Sequence, residues 1–379
     1  MKQTFKLGTL FGIPVGMHWS VLVIMALIAD LLARSVLPQA DPAAAASTRW
    51  AVGVAAAAVF LASLAAHEFA HALVARWHGV RVESVTLWML GGVAVLADEP
   101  PDARADLRIA GVGPAASAAA AVLFGAAAAG GVELGVPHII TASLAWLAAS
   151  NALIAVFNLL PGAPLDGGRI LRAILWRRGG DRASADHAAA RAGTALGRVM
   201  IGGGLLVMLL VNWFNGLWLA VVGWFIAGSA RSEDRWTDLH EAAEGMTVAD
   251  VMTPYPDHGW AWQPAGAFVE GVALRSRQSA FPVLDVTGEP VGAVTVDGLG
   301  RVPSEHADIP LRDISVPLPP DRVVAPEAPM ITLLQLAPVA ADLIAVVTAD
   351  HRLVGIVTTA DIEGMLRRGR LRHGDPAAV

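Results

Sequence analysis

The feature that most limits this chain is a series of apolar stretches in its first 230 residues, each close to the length that crosses a bilayer. Spanning about 30 Å of hydrocarbon takes roughly 20 apolar residues in a helix. Six stretches qualify, roughly 16–37, 51–75, 108–130, 139–160, 196–212 and 214–230. The last two are short for full spans and read equally well as one hairpin. No water is available at that depth to satisfy backbone N–H and C=O groups, so such segments must be helical. Only 16% of the whole chain is charged and 55% is hydrophobic, against about a quarter charged in an ordinary soluble protein. Residues 240–370, by contrast, have soluble composition, and the change falls near Arg231-Ser-Glu-Asp-Arg-Trp236.

The expected division is a membrane domain over 1–230, a linker over 231–245, two similar α+β repeats over 246–303 and 304–370, and a tail over 371–379. The repeats run from Thr247-Val-Ala-Asp-Val-Met-Thr-Pro254 to Val291-Gly-Ala-Val-Thr-Val296, and from Leu311-Arg-Asp-Ile314 to Val354-Gly-Ile-Val-Thr-Thr-Ala-Asp-Ile362. A net charge of −6 gives no reason to expect a nucleic-acid partner. The chain has no cysteine, which excludes thiol catalysis, disulfides and thiolate metal sites. Any metal must then be held by His, Asp or Glu. No removable signal peptide is expected, because the basic start lacks a compact apolar core followed by a small-residue cleavage site.

Basic residues set the expected orientation. With Lys2 and Lys6 in the cytoplasm, Arg76, Arg81, Arg104, Arg108, Arg169, Arg172, Arg177, Arg178, Arg182 and Arg191 fall on the same side, and little beyond Arg34 and Arg49 falls opposite. The expectation is a multi-pass protein of the cell (inner) membrane with both termini cytoplasmic. Segment 80–97 is rich in β-branched residues and interrupted by Gly91-Gly92, which predicts a β-hairpin. Lipid cannot satisfy a strand edge, so the hairpin belongs at the interface or against protein.

The second apolar helix contains His67-Glu68-Phe69-Ala70-His71. Four-residue spacing puts both imidazoles on one side of a helix, where they can grip one ion, with Glu68 beside them to take a proton from water. Two imidazoles and a carboxylate are costly at bilayer depth unless they are paired or functional. A catalytic zinc takes a third protein ligand and keeps an open position. Asp166, in Asn158-Leu-Leu-Pro-Gly-Ala-Pro-Leu-Asp166-Gly-Gly-Arg169, follows the fourth span and can converge there. Read locally, Asp166 is equally a helix N-cap before Ile170-Leu171. Pro161 and Pro164 stop the preceding helix, and Gly167 and Gly168 allow close backbone approach.

Together these motifs resemble the site-2 protease family of intramembrane zinc proteases. Gly12-Ile-Pro-Val-Gly-Met-His-Trp-Ser20 and Gly113-Pro114 are similar to that family too, and the tail resembles the tandem cystathionine-β-synthase-type (CBS) repeats of one bacterial branch. The resemblance covers nearly the whole chain. It implies a polytopic α-helical membrane domain of about six spans with an interfacial β-hairpin, plus a cytosolic α+β tandem CBS domain. It implies Zn2+ on His67, His71 and Asp166, with Glu68 as general base. Asn158 matches the family's asparagine, which helps polarise the scissile carbonyl; from the residues alone it could equally bridge two helices. Asn151, two turns earlier, reads as packing, and His18 beside Trp19 needs no metal to explain it. An extended substrate could add to the hairpin edge at Gly91 and Gly92. The implied partners are the lipid bilayer and membrane proteins with a single transmembrane helix, such as anti-sigma factors.

CBS pairs often bind an adenine nucleotide near a Thr and an Asp of each repeat. The second repeat has Gly355-Ile-Val-Thr358-Thr-Ala-Asp361; the first has Gly298 at the aspartate position. A homodimerisation or substrate-gating module without ligand is the other reading of the tail. A channel or transporter would explain the composition but not the histidine pair, Asp166 and Asn158 together. A pseudoprotease has no support, because no chemical group of the motif is missing.

Overall fold

Alternation of apolar spans with short polar turns yields a helical domain whose helices pack through small residues. The computed structural model describes residues 4–88, 91–96, 98–334 and 336–373. The chain falls into two compact units, Met1–Asp234 and Arg235–Val379.

The first unit opens with strands β1 (Phe5–Leu10) and β2 (Ile13–Met17). Helices α1 (Ser20–Ala40) and α2 (Ala46–Trp77) follow. Next come β3 (Val82–Trp88), β4 (Gly91–Leu96), α3 (Ala103–Glu133), α4 (His138–Asn158), α5 (Asp166–Gly179), α6 (Arg182–Leu210) and α7 (Trp213–Ala243), the last of which continues past Asp234 into the second unit. Among the described residues, all of these helices except α5 are long and apolar enough to cross a membrane. The expected fifth and sixth spans are much longer as helices than their apolar cores, 29 and 31 residues. Polar turns at Arg182–Arg198 and Arg231–Ala243 extend them, which apolarity alone does not register. They are full helices joined as a hairpin at Val211-Asn212. There the Asn212 side-chain carbonyl accepts from the Phe214 and Asn215 N–H groups at 2.9 and 3.1 Å, supplying the donors of a new helix start with an acceptor.

The expected hairpin at 80–97 is present as β3 and β4, with Trp88 paired to Gly91 and Leu87 to Gly92; Met89, Leu90 and Ala97 lie outside the described residues. It belongs to a larger sheet of order β1-β2-β3-β4, in which β2 and β3 run parallel. Ile13 and Val85 of this sheet pack on Phe69 and Ala72 of α2. The sheet is thus fixed against the helix that carries the histidine pair. Helices α3 and α4 pack antiparallel: a Cβ at Gly131 would lie 3.0 Å from Thr141, and one at Gly125 would lie 3.7 Å from Ala148. Extending that register puts Asn158, at the end of α4, level with Pro114 and Ala115 of α3, just past Gly113.

Among the described residues the second unit holds eight short strands, β5 (Thr253–Pro254), β6 (Gly259–Trp260), β7 (Ala280–Leu284), β8 (Pro290–Thr295), β9 (Val316–Pro317), β10 (Val323–Val324), β11 (Leu343–Ala349) and β12 (Arg352–Thr358). They form two four-stranded sheets, β6-β7-β8-β9 and β10-β11-β12-β5. Each repeat therefore completes its sheet with the first strand of the other. A closing helix, α8 (Thr359–His373), covers residues 371–373 of the expected tail; residues 374–379 lie outside the described chain.

Candidate metal centre

His67 and His71 lie on the inner face of α2, 3% and 5% exposed, so neither imidazole is left to bulk water. Asp166 is the first residue of α5, preceded by Leu165 in extended backbone. Its carboxylate turns away from capping and meets both rings. His67 Nε2 lies 3.2 Å from Asp166 Oδ2, His71 Nε2 lies 3.3 Å from the same oxygen, and the two Nε2 atoms are 3.2 Å apart. Ligand atoms about 2.0–2.1 Å from one tetrahedral ion are about 3.3 Å from each other. The three edges therefore fit a zinc ion, and the two-imidazole, one-carboxylate set is one that a catalytic zinc takes. Among the described residues no other group of three His, Asp or Glu converges in this way.

The fit extends outward. His67 Nδ1 is 2.9 Å from Ser117 Oγ, and His71 Nδ1 donates to the Ile109 carbonyl at 2.6 Å. Both partners are on α3. They occupy the ring nitrogen that faces away from Asp166 and leave the Nε2 lone pair free to hold an ion, as outer partners of metal-bound histidines do. Gly113, between them on α3, packs directly on the rings: a Cβ there would overlap His71 Nε2 and lie 2.7 Å from His67 Nε2.

The loop before Asp166 explains its reach. Pro161 and Pro164 break the chain after α4, and the α5 start folds back on that loop. A Cβ at Gly167 would overlap the Leu160 carbonyl, and one at Gly168 the Ala163 nitrogen. Both glycines are there because the backbone passes too close for a side chain.

Glu68 lies within electrostatic reach of the same three side chains, and its carboxylate accepts from the Gly92 backbone N–H. A Cβ at Gly92 would overlap Glu68 Cγ. The outer edge of β4 is unpaired among the described residues. Asn158 is half-buried, and its amide makes no hydrogen bond among the described residues. Asn151 is fully buried and donates back to the Leu147 carbonyl at 2.9 Å. His18 bonds locally to Ser20 Oγ at 2.8 Å and stays outside the ligand group. In the second unit, Thr358 and Asp361 do come together: Asp361 Oδ2 accepts from the Thr358 N–H and hydroxyl at 2.8 and 2.7 Å. Its Oδ1 accepts from Thr253 of the first repeat at 2.8 Å. At the matching place in the first repeat, Thr295 Oγ1 accepts from the Gly298 N–H at 2.9 Å and no carboxylate is present.

Reading the sequence missed Ser117, the Ile109 carbonyl and the contact of Gly113 with both rings. One signal could have found them: 109, 113 and 117 repeat at helical spacing on one face of α3.

A buried two-histidine, one-carboxylate centre with an adjacent glutamate, set in apolar helices, defines a membrane-embedded metallohydrolase. The model of peptidase family M50 matches residues 55–134 and 135–200. Rip3 of Mycobacterium tuberculosis is 41% identical over 378 residues, covering 99% of this chain and 96% of that one. Zinc metalloprotease MJ0392 of Methanocaldococcus jannaschii is 28% identical over 311 residues, 82% of each chain. A solved site-2 protease from Methanocaldococcus jannaschii, 28% identical, covers 61% of this chain and 95% of its own with a TM-score of 0.42. This chain belongs to peptidase family M50; it is a multi-pass zinc metalloendopeptidase of the site-2 type.

Proposed function

We propose that the protein cuts single-pass membrane proteins within or beside their transmembrane helix. His67, His71 and Asp166 are its zinc ligands, Glu68 its general base and Asn158 a donor to the developing oxyanion. The observation that carries this reading is the trio of ligand atoms 3.2–3.3 Å apart, with Glu68 next to the two histidines on α2. When bound, zinc supplies an acidified water and a polarised peptide carbonyl. Glu68 takes the proton of that water and passes it to the nitrogen of the departing amine. The Asn158 amide, with its donors unengaged, sits within a residue or two of the level of Gly113 and can hydrogen-bond the carbonyl oxygen as negative charge builds there.

A helix hides its carbonyls in its own hydrogen bonds, so the substrate must first be extended. The free edge of β4, at Gly91 and Gly92, offers a place to pair it. Gly92 touches Glu68, so a strand added there lies beside the base. Anti-sigma factors are one substrate class consistent with this demand. The tail, a CBS-type pair, regulates activity or substrate access, either through an adenine nucleotide near Thr358 and Asp361 or through homodimerisation. Both termini are placed in the cytoplasm of a cell with an inner membrane, on the side where the arginines of α5 and the loops gather.

The test is cleavage of a model single-pass substrate by the purified protein in detergent beside Glu68→Gln, with zinc measured in both. Cleavage by wild type alone, with zinc in both proteins, supports the reading; equal cleavage by both refutes Glu68 as base. Orientation is checked by single cysteines introduced at Lys6 and Arg178 of this cysteine-free chain. Labelling from the cytoplasmic side is expected at both.

A further inference from the structure

We propose that Arg172 is a positioning residue for the metal centre, its two-pronged bond to Asp106 fixing the helix that supplies Asp166 against the helix that holds both imidazoles. The inference rests on the reading of His67, His71 and Asp166 as the ligands.

Four residues of α3, Asp106, Ile109, Gly113 and Ser117, follow one another at spacings of three and four and form a single stripe. Three of the four hold or touch the imidazoles. The fourth, Asp106, has a side chain only 1% exposed and receives Arg172 Nε and Nη2 on its two oxygens at 2.8 and 2.7 Å. Arg172 is on α5, six residues after Asp166, about 9 Å along the helix at the usual rise. Its remaining prong, Nη1, donates to Asp186 of α6 at 3.0 Å. Arg169, one turn nearer Asp166, lies 3.9 Å from the same Asp106 oxygen. The stripe that orients the histidines and the helix that presents the carboxylate are thus tied by one planar guanidinium. A lysine keeps the charge but cannot make the paired bonds. If the pair slackens, α5 can slide along α3 while each helix stays folded. Asp166 then moves relative to both rings, and the three equal edges that fit a tetrahedral ion are lost.

Arg34 pairs with Asp30 at 2.6 Å on α1, both side chains exposed, and does not touch the stripe. It serves as the control.

The experiment uses the full-length protein in detergent, as wild type and as Arg172→Lys, Asp106→Asn, Arg34→Gln and His67→Ala. Zinc affinity is read by competition with a chromophoric chelator, coordination by the visible spectrum after cobalt substitution, and folding by thermal melting. Arg172→Lys and Asp106→Asn should bind zinc roughly ten- to a hundredfold more weakly, as loss of outer partners does. Their cobalt bands should be altered, and Arg34→Gln should stay within about twofold of wild type, as an exposed pair warrants. Wild-type affinity and spectrum in folded Arg172→Lys and Asp106→Asn, with only the melting point lowered, overturns the inference. If Arg172→Lys does not fold, Asp106→Asn, which keeps the shape of the side chain, decides. Undiminished zinc in His67→Ala would overturn the ligand reading itself, a result separate from retention in the Arg172 variant alone.

Discussion

A methyl group at Gly113 would overlap His71 Nε2 and sit 2.7 Å from His67 Nε2, the two atoms that face Asp166. Gly113→Ala should therefore push the rings off the carboxylate and weaken zinc binding by at least about tenfold, the scale seen for disturbed outer partners; chelator competition measures it. Gly92→Ala should act differently. Its added carbon meets Glu68 and none of the three ligands, so bound zinc should be retained while cleavage falls, a separation visible by metal analysis beside a substrate assay. Ser117→Ala removes the partner of His67 Nδ1 and should loosen zinc with little effect on melting. The sequence showed the histidine pair and Glu68 because four-residue spacing is a local property of one helix. It left Asp166 divided between ligand and N-cap, since which way a carboxylate turns depends on what faces it across the fold. Ser117 is 50 residues from His67, and no local pattern joins them.

At the scale of elements, the loop from Leu159 to Leu165 is squeezed between α4, α5 and α6. A Cβ at Gly193 of α6 would overlap the Ala163 carbonyl and lie 2.9 Å from the Ala163 nitrogen. Gly193→Ala must then move the loop that delivers Asp166 or the helix behind it. Overpacking of this kind costs about 1–3 kcal/mol, so the variant should melt earlier and hold zinc less well. The hairpin at 80–97 was legible from its β-branched residues and paired glycines. The two strands ahead of it were not. Phe5–Leu10 is exposed throughout and shows no alternation, and the parallel pairing of Val15 with Val85 joins segments separated by two whole helices. The long polar ends of α6 and α7 escaped for another reason: hydropathy marks what a membrane covers, whereas a helix continues wherever its backbone can bond to itself.

On the scale of the whole molecule, the two tail repeats share their sheets. Thr253–Pro254 of the first repeat pairs with Gly355 and Ile356 of the second, and Val316–Pro317 of the second pairs with Gly292 and Ala293 of the first. The side chains agree, since Thr253 also donates to Asp361. A fragment covering 235–373 should accordingly unfold in one transition, while a fragment ending at 303 should show no cooperative melt by circular dichroism. Likeness between the repeats was plain in the sequence; the exchange was not, because a two-residue strand has too little pattern to reveal its partner. This exchange bears on descent as well as folding. Losing one repeat from the gene would strip an edge from the survivor, and gaining a third would leave a strand with nowhere to go. The pair is thus the smallest piece of the tail that a lineage can lose, duplicate or lend to another protein.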